Sequence, residues 1–173
     1  GLAQVNIVTS ILFGGISGAA VADTAALGRI FIPSMTQQGY GRAFSTAVTV
    51  ASSIIAPIIP PSIIMVLYGS IMEVSIAGLF AAGIVPGLLI GVALMILTRI
   101  IAGRRNYPTN PEKITFPRLV ERTRGAMWAL MMPIIIMGGI LGGFFTPTEA
   151  AAIAVGFALF VGLVVYRNLT FKD

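Results

Sequence analysis

The sequence predicts an all-α polytopic membrane protein built around a re-entrant helical hairpin and a broken transmembrane helix. Three observations carry that prediction. Hydrophobic residues make up 57% of the 173 residues and charged residues only 10%, against roughly 25% charged in a soluble domain. The apolar residues gather in runs close to the roughly 20 residues that a spanning helix needs. Two of those runs are interrupted internally, one by glycines and one by prolines. With a mean hydropathy of +0.97, the bilayer is the solvent in which the chain has to be understood. The opening at Gly1 without a Met, and the close just after an apolar run, read as a piece of a longer polypeptide.

Residues 1–34 form the predicted hairpin. Gly14, Gly15, Ser17 and Gly18 divide them into two arms. The second arm, ending near Pro33, spans about 22 Å at 1.5 Å per residue, short of a hydrocarbon core of roughly 30 Å. Residues 43–70 form the broken transmembrane helix, in which Pro57, Pro60 and Pro61 follow Ser52 and Ser53 and precede Ser62. Each proline removes a backbone donor and clashes with the preceding turn, so the helix cannot run through. Irregular backbone at membrane depth is tolerated only against protein or a polar cavity. Residues 76–102, 125–143 and 147–167 read as further transmembrane helices, and 103–124 as a cytoplasmic linker with an interfacial helix.

Charge orients these segments. The connection before the broken helix carries Arg42, and 103–124 carries Arg104, Arg105, Lys113, Arg118, Arg122 and Arg124. The last segment is followed by Arg167 and Lys172, whereas the intervening turns hold only Glu73 and Glu149. By the positive-inside bias, the basic connections are cytoplasmic and the acidic turns face outward. The net charge of +5 therefore reflects orientation and does not point to nucleic acid.

The chain has no Cys and no His, which excludes thiol chemistry, imidazole catalysis and most zinc sites. A catalytic dyad cannot be assembled from what remains, so the protein is read as a non-enzyme. What the sequence does offer is oxygen. Ser17, Thr24, Ser52, Ser53 and Ser62 supply hydroxyls. Gly14, Gly15, Gly18 and the backbone before Pro57 and Pro60 supply carbonyls open to close approach. A hairpin tip beside a broken helix is a recurrent way to hold a small cation such as Na⁺ and an anion near the bilayer midplane. Asp23 is the one acidic residue inside an apolar stretch. A carboxylate there is costly unless partnered or functional, so it is either an ion ligand or an anchor of the tip. Ser17, Asp23, Ser52 and Ser53 are the expected Na⁺ contacts, although each hydroxyl has an alternative as a bond to its own preceding helical turn.

Other polar features have local explanations. Thr146, Pro147 and Glu149 match a capping box opening the last helix. Arg29 and Arg42 mark the cytoplasmic interface, Met131, Met132 and Met137 pack helices, and Trp128 and Tyr166 anchor the interface.

Three stretches, FGGISGAAVADTAALG at 13–28, PIIPPS at 57–62 within 52–68, and GFFTPTEAAA at 143–152, resemble the large membrane subunit of tripartite ATP-independent periplasmic (TRAP) transporters. The resemblance covers essentially the whole chain and a middle portion of such a subunit. It implies a bacterial inner-membrane protein, half of an inverted-repeat elevator-type transporter. It also implies sodium-driven uptake of a small organic anion, such as a dicarboxylate or sialic acid. The implied partners are a small membrane subunit and a periplasmic solute-binding protein. Ser17 and its glycines match the first hairpin tip of the family, and 52–62 match its first broken helix. Two alternatives stand beside this reading: a hairpin-type secondary transporter that needs no binding protein, and a channel.

Overall fold

The computed structural model describes residues 1–107 and 116–167, all of whose regular structure is helical. The helices are α1 (Leu2–Ser17), α2 (Ala20–Gln37), α3 (Arg42–Ser53), α4 (Ile63–Ile71), α5 (Ile76–Arg104), α6 (Phe116–Leu141) and α7 (Pro147–Phe160). A π-helical turn, Val161–Val165, continues α7. The chain divides into two compact units, Gly1–Pro111 and Glu112–Asp173. Among the described residues, α5 and the stretch Pro147–Val165 are long and apolar enough to cross a bilayer.

In the first unit, α1 and α2 form a helical hairpin and α3 packs on both arms. Gly18 ends α1 in the left-handed region, at φ 60° and ψ 12°, and its N–H donates to the Gly14 carbonyl. That conformation is cheap for glycine and reverses the chain within two residues. The open ends of the arms are held by a buried cluster of Ala3, Ile7, Met35, Tyr40, Phe44 and Val48. Tyr107 stacks on this cluster with ring centroids 5.0 Å from both Tyr40 and Phe44, tying the end of α5 to the hairpin base.

Helix α5 meets the break between α3 and α4 through a ridge of small residues. A Cβ on Gly83 would lie 2.4 Å from the Ile58 carbonyl, one on Gly87 2.4 Å from Ile59 Cγ1, and one on Gly91 2.7 Å from Ile11 Cδ1. Spacing of four places all three on one face, the small-residue packing that lets backbones approach closely in membranes. The Gln4 side chain adds a bond from its Nε2 to the Met95 carbonyl, at 2.8 Å.

In the second unit, α6 and α7 are joined by a tight turn that folds Phe145 back on α6, where a Cβ on Gly139 would strike its ring at 2.1 Å. Thr146 caps α7 and accepts from the Glu149 N–H, while the Glu149 carboxylate accepts from the Thr146 N–H at 2.8 Å. The capping box reads the same in sequence and structure.

Several element boundaries differ from the sequence reading. The second arm runs to Gln37, past the expected end at 34, with Pro33 inside the helix. The Ser34 hydroxyl donates to the Ile30 carbonyl at 2.6 Å and the Thr36 hydroxyl to Ile32 at 2.7 Å. These bonds help to carry the last turn past the proline. The charged stretch from 116 to 124, expected as a separate interfacial helix, belongs to the same helix as the apolar segment after it. Pro117 sits at the helix start, where proline is tolerated, and no strong breaker follows before Pro133. The remainder of the 103–124 linker, from 108 to 115, and the end of the chain from 168 lie outside the described residues.

Candidate functional site

The hairpin tip rests on the break between α3 and α4. A Cβ on Gly14 would be 2.8 Å from Ala56 Cα, and one on Gly18 would be 2.7 Å from the Pro61 carbonyl and 3.2 Å from Ser62 Cα. Glycine at these two positions lets main chain approach main chain. Of the sequence-predicted residues, the structure thus brings Gly14 and Gly18 against the segment holding Pro57, Pro60 and Ser62, with Gly15 buried beside them.

Inside the tip, the Ser17 hydroxyl donates to Asp23 Oδ1. Asp23 lies in the first turn of α2, where the exposed amides favour a negative charge. It is fully buried, and its second carboxylate oxygen, Oδ2, has no hydrogen-bond partner among the described residues. Thr24 is half-buried next to it.

The break spans 54–62, and its Pro60–Pro61 peptide is cis. Each proline orphans the carbonyl four residues earlier. Pro57 orphans Ser53, whose carbonyl instead accepts from the Ala56 N–H at 3.1 Å. Pro61 orphans Pro57, whose carbonyl accepts the Ser62 hydroxyl at 2.7 Å. Pro60 orphans Ala56, and the Ala56 carbonyl finds no donor among the described residues. Of the carbonyls that the prolines orphan, those of Ser53 and Pro57 are taken by other donors among the described residues and that of Ala56 is not.

The hydroxyls are engaged as well. Ser62 is the N-cap of α4, accepting from the Met65 N–H while it donates to Pro57. Ser52 and Ser53 both donate to the Thr49 carbonyl, at 3.1 and 2.8 Å. Their lone pairs remain as acceptors, but neither bonds Ser17 or Asp23. The two expected pairs of Na⁺ contacts are held by different partners.

The structure adds residues that the sequence reading passes over. Asn6, Ser10, Ser45 and Thr49 are fully buried. Asn6 Nδ2 donates to Thr49 Oγ1 at 2.7 Å, and Thr49 in turn donates to the Ser45 carbonyl at 2.9 Å. The Ser10 and Ser52 hydroxyls are hydrogen-bonded at 2.8 Å. Asn6 Oδ1, like Asp23 Oδ2, is buried without a partner. The signal was present: Asn6, Ser10 and Gly14 recur every four residues along one face of a largely apolar helix.

Compared with known proteins, the chain matches over residues 1–173 the model of a family described as tripartite ATP-independent periplasmic transporter, DctM component. It is 45% identical over 171 residues to the sialic acid TRAP transporter large permease protein SiaM of Vibrio cholerae, covering 99% of this chain and 40% of that protein. It is 44% identical over 172 residues to the sialic acid TRAP transporter permease protein SiaT of Haemophilus influenzae, covering 99% and 28%. It is 40% identical over 173 residues to the C4-dicarboxylate TRAP transporter large permease protein DctM of Pseudomonas aeruginosa, covering 100% and 40%. The chain thus spans well under half the length of these relatives.

Proposed function

The chain belongs to the DctM component family of tripartite ATP-independent periplasmic transporters, and from that premise we propose that it forms part of a sodium-coupled uptake permease. The full permease sits in a bacterial inner membrane and imports a small organic anion, a carboxylate. The anion is delivered by a periplasmic solute-binding protein, and a small membrane subunit works alongside. Relatives named for sialic acid and for C4-dicarboxylates support a carboxylate cargo. In this reading α1 and α2 are a re-entrant hairpin, α3 and α4 a broken transmembrane helix, and the pair is one half of an elevator-type site. The protein is a transporter and not an enzyme.

The single observation that carries sodium coupling is Asp23. A carboxylate oxygen buried without a donor is costly in a low-dielectric surrounding. A small cation co-transported at the tip offsets that cost. In this reading its hard oxygen donors are Asp23 Oδ2, the Ala56 carbonyl and the remaining acceptor lone pairs of Ser17, Ser52 and Ser53. Ser17 orients the carboxylate, and the glycines bring main chain close enough for carbonyls to contribute. The cation supplies positive charge at the tip, where an arriving anion adds to the same electrostatic balance.

The test uses the full permease with its small subunit and binding protein in proteoliposomes, under an imposed sodium gradient. Asp23→Asn, which keeps the shape and removes the charge, is expected to raise half-saturating sodium at least tenfold. Insertion should be retained, since losing a buried charge does not lower helix hydrophobicity. Uptake by Asp23→Asn with wild-type sodium dependence would make Asp23 only an anchor of the tip.

A further inference from the structure

The buried contacts between α1 and α3 form a ladder with an almost constant offset. Asn6 bonds Thr49, 43 residues on, and Ser10 bonds Ser52, 42 residues on. One helical turn further, Gly14 seats on Ala56. The two helices run parallel, and the third rung is the contact of hairpin tip and break. Beside these rungs, Leu2, Ala3, Ile7 and Ile11 lie in or against the apolar core cluster, and Gln4 bonds the Met95 carbonyl of α5 and not α3. In a bilayer, lipid is as apolar as leucine, so hydrophobicity alone discriminates poorly between helix registers. A slip by one turn moves an arm by about 5.4 Å and carries the tip off the break. It would also break the bonds that pair Asn6 with Thr49 and Ser10 with Ser52 in this register. A buried polar residue that specifies register is the best-attested use of such groups in helix pairs.

We propose that Asn6 and Ser10 are positioning residues that set the height of the hairpin tip on the broken helix, and through it the geometry of the ion site. The proposal rests on the sodium-coupled reading above, and its test separates the two. In the full permease, spin labels on cysteines at Ile16 and Ile63, both exposed, report the distance from tip to break. This chain contributes no native cysteine to interfere. Ser10→Ala is expected to broaden that distance distribution or add a second population. It is also expected to raise half-saturating sodium about threefold or more, the scale of one interhelical hydrogen bond in a membrane. Ser10→Thr, which keeps the hydroxyl, is expected to restore both readouts. In the distance distribution, Ser10→Ala and Ser52→Ala combined are expected to do little more than either alone, because they remove one shared bond between the helices.

An unchanged distance distribution overturns the proposal, as does a changed distribution with wild-type sodium dependence, or independent effects of the two serines on the distance distribution. If Ser10→Ala does not accumulate in the membrane, Asn6→Gln carries the same measurements, since it keeps the amide and displaces it by one methylene. A wild type without sodium dependence defeats the sodium reading alone. The positioning role is then judged on the distance distribution and on half-saturating substrate.

Discussion

Two glycines in the left-handed region separate conformational demand from close approach. Gly18 has φ 60° and Gly143 has φ 72°, so an alanine at either position costs about 1–2 kcal/mol of backbone strain. At Gly143 nothing lies within 4 Å of the added Cβ, whereas at Gly18 the Pro61 carbonyl lies 2.7 Å away. Gly18→Ala is therefore expected to displace the tip and reduce uptake more than tenfold, while Gly143→Ala lowers thermal stability slightly and leaves uptake within about twofold. Equal uptake by the two variants would show that the tip does not need its contact with the break. Gly18 was legible in the sequence because a glycine cluster inside an apolar run has few other uses. The spacing of Asn6 and Ser10 was visible, but their role was not, because a buried polar residue is explained only by the partner across from it, and Thr49 and Ser52 lie some forty residues away. Asp23 was legible as an anomaly, and its bond to Ser17 had to come from the fold.

At the scale of the element, the break between α3 and α4 follows from backbone chemistry alone, and the three prolines were sufficient to read it. What the sequence left open was which orphaned carbonyls find other donors, since that depends on how the turn tightens and on where Ser62 points. The outcome ranks the prolines. Pro60→Ala supplies an N–H where the Ala56 carbonyl has none, so a local helical turn can form and withdraw that oxygen from the site. Pro57→Ala supplies an N–H toward Ser53, whose carbonyl already accepts from Ala56. Half-saturating sodium is expected to rise several-fold in Pro60→Ala and to stay within about twofold in Pro57→Ala. The reverse order in uptake measurements would move the ligand from Ala56 to Ser53. Helix ends were the least legible feature at this scale. Pro33 marks no boundary because the turn after it is held by hydroxyls, and the charges near 120 start no separate helix because nothing there breaks one.

At the scale of the whole molecule, the all-helical architecture was legible from composition and apolar runs. Two of the four expected crossings are uninterrupted apolar helices of spanning length. Of the other two, one is divided by the break, and the other has its apolar part, Leu130–Leu141, joined to a charged first half. Orientation rests on the charge alternation, which sets Arg42, the residues around 104–124 and Arg167 against turns holding only Glu73 and Glu149. The positive-inside bias acts during insertion on short loops of this kind, so the alternating sign of these five successive segments predicts one topology. Single cysteines introduced at Asn110, Met72 and Thr148 test it in intact cells with an impermeant thiol reagent. Met72 and Thr148 sit at exposed positions beside the two acidic turns. Both cysteines are expected to react in intact cells, and the one at Asn110 only after permeabilisation. Labelling at Asn110 with protection at the other two would invert the molecule.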